Sequence, residues 1–265
     1  MTNLIVPSHS SVLTPNKSFA YLRNNNNNGS GYFVSSSVWD NSFHVFKVDQ
    51  TSLTHVFPGR QKYSLIANVA SAGAPFLLTS WRDSSLTLWN VKLSDQSMPI
   101  YRVTPHLTSL VDIDASPVLK LIASLDKSRK LILSYLPTGR YIRGFDVKGD
   151  DKLNKLMLMS NGYILVASEL ETSDRNSIKT FIRVFGINTN CLAEKQINGQ
   201  MLIWCRAEFD SGFDGIGIIL KEKIFEFLEI PTLNCIFRLK LGSKPIVALH
   251  CIPQCLVFVL IDTDG

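Results

Sequence analysis

Three groups of residues in this chain have types and spacings that could do chemistry. His250, Cys251 and Cys255 fall within six residues and are zinc-ligand types. On an extended strand Cys251 and Cys255 share one face while His250 points to the other, and Pro253 interrupts them. That spacing fits no usual zinc pattern, so buried thiols and no metal are expected. Gly212, Gly215 and Gly217 would suit a phosphate loop only ahead of a helix. They sit around FDGIGIIL, which opens an apolar strand, and read as a turn. His106 could serve as a general base, but no nucleophile or second acid in the sequence converges on it. No catalytic residue and no cofactor are expected.

The remaining signal is a carboxylate that repeats. Asp40, Asp83 and Asp126 stand 43 residues apart on both intervals, with Ser42, Ser85 and Ser128 two places on and Val45, Leu88 and Leu131 in the same register. An aspartate accepts hydrogen bonds from backbone N–H groups two residues on and so fixes a tight turn, which a following serine supports. A residue repeated in repeated context is architecture, whereas a catalytic carboxylate would be unique to one unit.

The elements that carry these turns are short apolar runs. YFVSSSV, SFHVFKV, SLTLWNV, KLIASL, KLILSYL, YILVAS, TFIRVFGI, GIGIIL, KIFEFLEI and CLVFVLI read as strands, and no segment holds a long 3.6-residue period. The chain is therefore all-β. A period of 43 with several strands per unit indicates a β-propeller of about six to seven four-stranded blades, each buried only by its neighbours. Blades are placed at 32–60, 61–104, 105–148, 149–198 and 199–242, with an incomplete one at 243–265. The repeat loosens where ETSDRNS (171–177) is inserted, returns in a hairpin near Lys221, and reaches Asp264 one period later. The first 31 residues hold an Asn-rich loop (24–28) and either supply closing strands or precede a ring that continues beyond this sequence. The open last blade favours a piece of a longer protein.

Residues 32–145 resemble the C-terminal WD-repeat propeller of BEACH-domain proteins, the Beige, neurobeachin and lysosomal-trafficking-regulator group. VWDNSFHVF resembles its opening repeat, LLTSWRDSSLTLWNV its second, and LIASLDKSRKLILSYLPTGRYIRGF its third. Pro105-His106 stands where the family shows Gly-His, and Trp89-Asn90 stands for the terminal Trp-Asp. The resemblance implies a WD-type propeller, a hydrogen bond from His106 to Asp126, and a role in vesicle or lysosome-related membrane traffic. It also implies the protein's own BEACH domain as a partner if the chain is part of a longer one.

Composition limits the alternatives. With 45% hydrophobic and 18% charged residues, the 265-residue chain can bury a large core. A net charge of +5 is too small and too scattered for a dedicated nucleic-acid binder. No apolar run approaches the ~20 residues of a membrane span, and the N-terminus lacks the apolar core of a secretory signal. Five cysteines in apolar contexts read as reduced thiols of a cytoplasmic protein, reaching endomembranes only through partners. Trp39, Arg60, Lys62, Trp81, Arg82, Lys127 and Lys148 lie in or near loops that a propeller opens on one face. They form the candidate surface for binding other proteins, since exposed Trp and Arg are enriched where interfaces are strongest.

Overall fold

A computed structural model describes residues 19–23, 31–37, 42–48, 53–60, 66–73, 75–91, 99–171, 178–208, 214–242, 246–252 and 257–262. Among them there is no helix. The first sheet holds β1 (Phe19–Arg23), β2 (Gly31–Ser37), β3 (Ser42–Val48) and β4 (Leu53–Arg60). The second holds β5 (Ile66–Ser71), β6 (Phe76–Trp81), β7 (Leu86–Asn90) and β8 (Tyr101–Val103). The third holds β9 (Leu110–Ser116), β10 (Leu121–Asp126), β11 (Lys130–Tyr135) and β12 (Tyr141–Asp146). The fourth runs through β13 (Lys152–Leu158), β14 (Ile164–Glu171), β15 (Ile178–Phe185) and β16 (Cys191–Asn198). The fifth runs through β17 (Met201–Glu208), β18 (Asp214–Leu220), β19 (Ile224–Ile230) and β20 (Cys235–Lys240). A last pair, β21 (Ile246–Ile252) and β22 (Val257–Asp262), completes the series.

Every sheet is antiparallel and follows chain order, so each is a meander. Successive sheets meet through their first strands, β1 with β5, β5 with β9, β9 with β13, and β17 with β21. The fourth strands lie outermost, and β20 is exposed at all six positions. This is a β-propeller with four-stranded blades. Among the described residues five sheets are four-stranded and a sixth shows two strands, short of the expected six to seven four-stranded blades. Phe19–Arg23, inside the segment expected to close the ring, pairs instead with β2 as the inner strand of the first blade.

Burial explains why the blades hold together in sequence. The core divides into five apolar clusters, and each lies between two successive sheets. Within β10, Ile122 faces the second blade, while Leu121, Ala123 and Leu125 face the fourth. A middle strand is thus covered on both faces: all six residues of β10 are buried, with Ser124 and Asp126 on the same side as Ile122. No blade can bury its faces alone, so stability is a sum of neighbour contacts.

The third and fourth blades are joined by a second device. Asp112 and Asp114 project from the inner strand β9 at alternate positions. Each accepts the N–H of the next residue through Oδ1, Ile113 at 2.8 Å and Ala115 at 3.0 Å. Through Oδ2 they accept the N–H groups of Leu156 and Leu158 on β13, both at 2.9 Å. Arg206 of the fifth blade also reaches Asp114 Oδ2, at 2.5 Å.

Candidate functional site

In the second and third blades the meander order brings the hairpin between the second and third strands to the same end as the loops that join these blades to their neighbours in the described chain, 104–109 and 147–151. In the second blade the turn closes with Ser84 N–H donating to the Trp81 carbonyl at 3.0 Å. In the third blade Arg129 N–H donates to the Asp126 carbonyl at 3.1 Å. Ser84 and Arg129 both take positive φ, 67° and 71°, at the same place in the turn. The geometric equivalents are therefore Trp81 and Asp126, two residues out of step with the 43-residue register that pairs Asp83 with Asp126. Each carboxylate still fixes its hairpin. From inside the turn, Asp83 Oδ1 accepts the Ser85 N–H at 3.1 Å and its hydroxyl at 2.6 Å. From the strand end, Asp126 Oδ1 accepts the Ser128 hydroxyl at 2.7 Å and the Lys130 N–H at 2.9 Å.

His106 lies buried beneath the third hairpin, with Nδ1 2.9 Å from Asp126 Oδ2 and Nε2 2.8 Å from Ser124 Oγ. Burial works against the charge on Asp126, but bonds from Ser128, Lys130 and His106 outweigh it and hold the carboxyl below its usual range. Burial pushes His106 down, more than the Asp126 carboxylate pulls it up. With a neutral ring beside an ionised carboxylate, Nδ1–H donates to Asp126 and Nε2 accepts from Ser124. The three groups are connected in the order of a hydrolase triad. Ser124 is fully buried between the ring and the Ile132 carbonyl, so no acyl group can approach its hydroxyl.

A pH dependence follows. Because the folded His106 pKa lies below its unfolded value, its contribution is fully present above about pH 6.5 and declines on the acid side as the unfolded chain takes up the proton. Urea midpoints of the wild type are expected to fall between about pH 7 and about pH 5. His106→Gln is expected to show a shallower slope over that interval, and an equal slope would place the proton uptake elsewhere.

The fourth blade uses a different polar centre, absent from the sequence reading. Arg183 on β15 donates Nη1–H to Asp151 Oδ2 at 2.7 Å and Nη2–H to Oδ1 at 3.1 Å. It also donates to Ser168 Oγ at 2.9 Å and to Glu194 at 2.5 Å. Arg129 of the third hairpin donates to the carbonyls of Val147, Lys148 and Asp151, so it ties the two blades together at the loop 147–151. Burial alone would raise Asp151, yet the Arg183 and Ser168 bonds bring it to about 2. Gly149 is required here: its φ is +116°, and a Cβ would stand 2.3 Å from Asp151 Oδ1. Nothing in the sequence pattern pairs Asp151 with Arg183, 32 residues away on another element.

The candidate binding residues separate. Trp39, Asp40 and Lys62 lie outside the described residues, and Arg60 is placed only as the last residue of β4. Ser42 is buried at the start of β3 beside His44, Oγ to Nε2 3.1 Å. Trp81 is corrected from surface to core. It is fully buried and its Nε1–H donates to Thr87 Oγ1 at 3.1 Å, as suits the inward position that Asp126 holds one blade later. Trp89 is also buried, donating to Thr79 Oγ1 at 2.9 Å. Arg82, Lys127 and Lys148 are exposed at the hairpin end. Asp83 pairs there with Arg102. Of the proposed thiol group, Cys251 is buried in the fifth-to-sixth cluster and Cys255 lies outside the described residues. Beside Cys251, burial pushes the Cys205 thiol up to about 12.

The fold and this site define a β-propeller whose hairpin end presents hydrogen-bonded, charged loops above buried polar centres. The chain is similar to the crystal structure of the computationally designed Ika8 protein, with a TM-score of 0.65, 12% identity, and cover of 93% of this chain and 68% of that one. No protein-family model matches the chain, and no curated protein matches it in sequence. No helix among the described residues is long and apolar enough to cross a membrane.

Proposed function

We propose that this protein is a non-enzymatic scaffold that binds other proteins through the hairpin end of a WD-type propeller. The carrying observation is the hydrogen bonding of that end: Asp83 and Asp126 lock two hairpins, and Arg129 pins the next loop, while Arg82, Lys127 and Lys148 remain exposed on them. Loops that vary freely on a fixed disc suit several partners. The contact of His106 with Asp126 supports the WD-type reading. The likeness of residues 32–145 to BEACH-family repeats supports a place in vesicle or lysosome-related membrane traffic, in the cytoplasm and at endomembranes through partners. The protein's own BEACH domain is one such partner if the chain belongs to a longer protein.

The test is affinity purification of the tagged chain followed by mass spectrometry. A reproducible set of proteins held at physiological salt is expected. Enrichment of nothing over a tag-only control would end the scaffold reading.

A further inference from the structure

Leu107 is the most exposed large apolar residue described, at 103% of its reference area. Isolated surface leucines are ordinary, but this one is held in place on both sides. His106 before it is anchored in the core by Asp126 and Ser124. After it, Thr108 Oγ1 accepts the Ser128 N–H at 3.3 Å and the Ser109 carbonyl accepts the Lys127 N–H at 3.0 Å. The loop is therefore bolted to the third hairpin, with Leu107 projecting from it.

Cations stand on the hairpin that holds the loop and on the next loop fastened to it. Lys127 lies in the hairpin that holds the loop, and Lys130 acts electrostatically on His106. Lys148 is exposed on the next loop, its carbonyl fixed by Arg129 Nη2 at 3.0 Å. Asp151 is held by Arg183 and Asp146 faces Lys130 across the β11–β12 pair, which leaves Lys127, Arg129 and Lys148 against Asp126 and Asp150, a small excess of positive charge. Asp150 is the remaining exposed acid of the 147–151 loop. Among the described residues neither Lys127 nor Lys148 has an ion-pair partner.

We infer that the third hairpin and loop 104–109 form a docking site for an acidic, apolar-containing segment of a partner protein, with Leu107 as the apolar anchor and Lys127 and Lys148 receiving its carboxylates. Charge complementarity selects an acidic segment, and the apolar anchor distinguishes it from a purely polyanionic ligand. The loop is already ordered, so little conformational freedom remains to be lost on binding. This rests on the scaffold reading and names the partner's chemistry.

The test uses fluorescence anisotropy with the full chain and three labelled synthetic peptides: Glu alternating with Leu and Phe, Lys alternating with Leu and Phe, and Glu alternating with Ser. Only the first is expected to bind. Leu107→Ser and the double variant Lys127→Glu/Lys148→Glu should each weaken it by about tenfold or more. Leu107→Ser removes a side chain with no burial, so its melting curve should match wild type and keep the result readable if the double variant misfolds. No binding of the first peptide, equal binding by Leu107→Ser, or equal binding of the Glu/Ser peptide would overturn the site. So would binding to phosphatidylserine vesicles that the first peptide fails to compete. In affinity purification, Leu107→Ser retaining every wild-type partner removes this site and leaves the scaffold; a wild type that captures nothing removes the scaffold whatever the peptide does.

Discussion

Replacing Arg183 with leucine is expected to lower stability by about 3–5 kcal/mol, the range seen when one partner of a buried ion pair is deleted. Leucine fills much of the volume but leaves Asp151 as a buried carboxylate with Arg129 at 3.5 Å as its remaining side-chain cation. The loss is concentrated at Asp151 and Ser168, because Glu194 is half-exposed and its pairing contributes little. Asp151→Asn in the leucine background should restore part of the stability, since the neutral amide no longer needs a countercharge. The pH profile gives an independent reading. The folded Asp151 pKa lies below its unfolded value, so its contribution is present above about pH 4 and lost as pH falls through about 2. Wild type should show that acid step in urea titrations and Arg183→Leu should lack it. A leucine variant with the wild-type midpoint and the wild-type acid limb would show that the pair is energetically idle.

Trp89→Ala is expected to cost about 3–5 kcal/mol through the cavity left by a buried aromatic ring. Trp89 sits on β7, yet its ring meets Phe43 of the first blade edge-on, with centroids 5.1 Å apart at 69°. The cavity would therefore open at the seam between two blades. Trp89→Phe should cost less: it keeps ring contact with Phe43, and Thr79, which loses the indole donor, still has its own bond to the Thr87 carbonyl at 3.4 Å. Circular dichroism during urea unfolding checks the order, with alanine below phenylalanine below wild type. Equal midpoints for alanine and phenylalanine would mean that the seam closes over the gap.

How much of this was legible beforehand depends on the strand. Middle strands such as KLILSYL and GIGIIL are apolar on both faces and were readable as runs. Outer strands such as CLAEKQIN and CIFRLK are solvated, and nothing in their composition separates them from loops. The same double burial hid the fate of Trp81. Along β6 every residue from Leu77 to Trp81 is buried, so no alternation marked the tryptophan as inward. Asp83 and Asp126 do stand at hairpins, but sequence spacing could not tell a carboxylate inside a turn from one at the strand end before it. The Asp151–Arg183 centre was illegible for another reason: its ion pair joins a residue just before β13 to one on β15, with no repeated spacing to mark it. Asp112 and Asp114 did leave a trace, two acids at alternate positions of an otherwise apolar strand, a pattern that burial makes costly without a partner.

Those two aspartates also bear on how the molecule can change over generations. Their Oδ2 atoms grip the main-chain N–H groups of Leu156 and Leu158, not the leucine side chains. Every residue type except proline carries that donor. The seam is therefore indifferent to which side chains the fourth blade presents at 156 and 158, so long as they fill the space. Drift in that blade, whose repeat had already loosened at 171–177, can proceed without unfastening it from its neighbour.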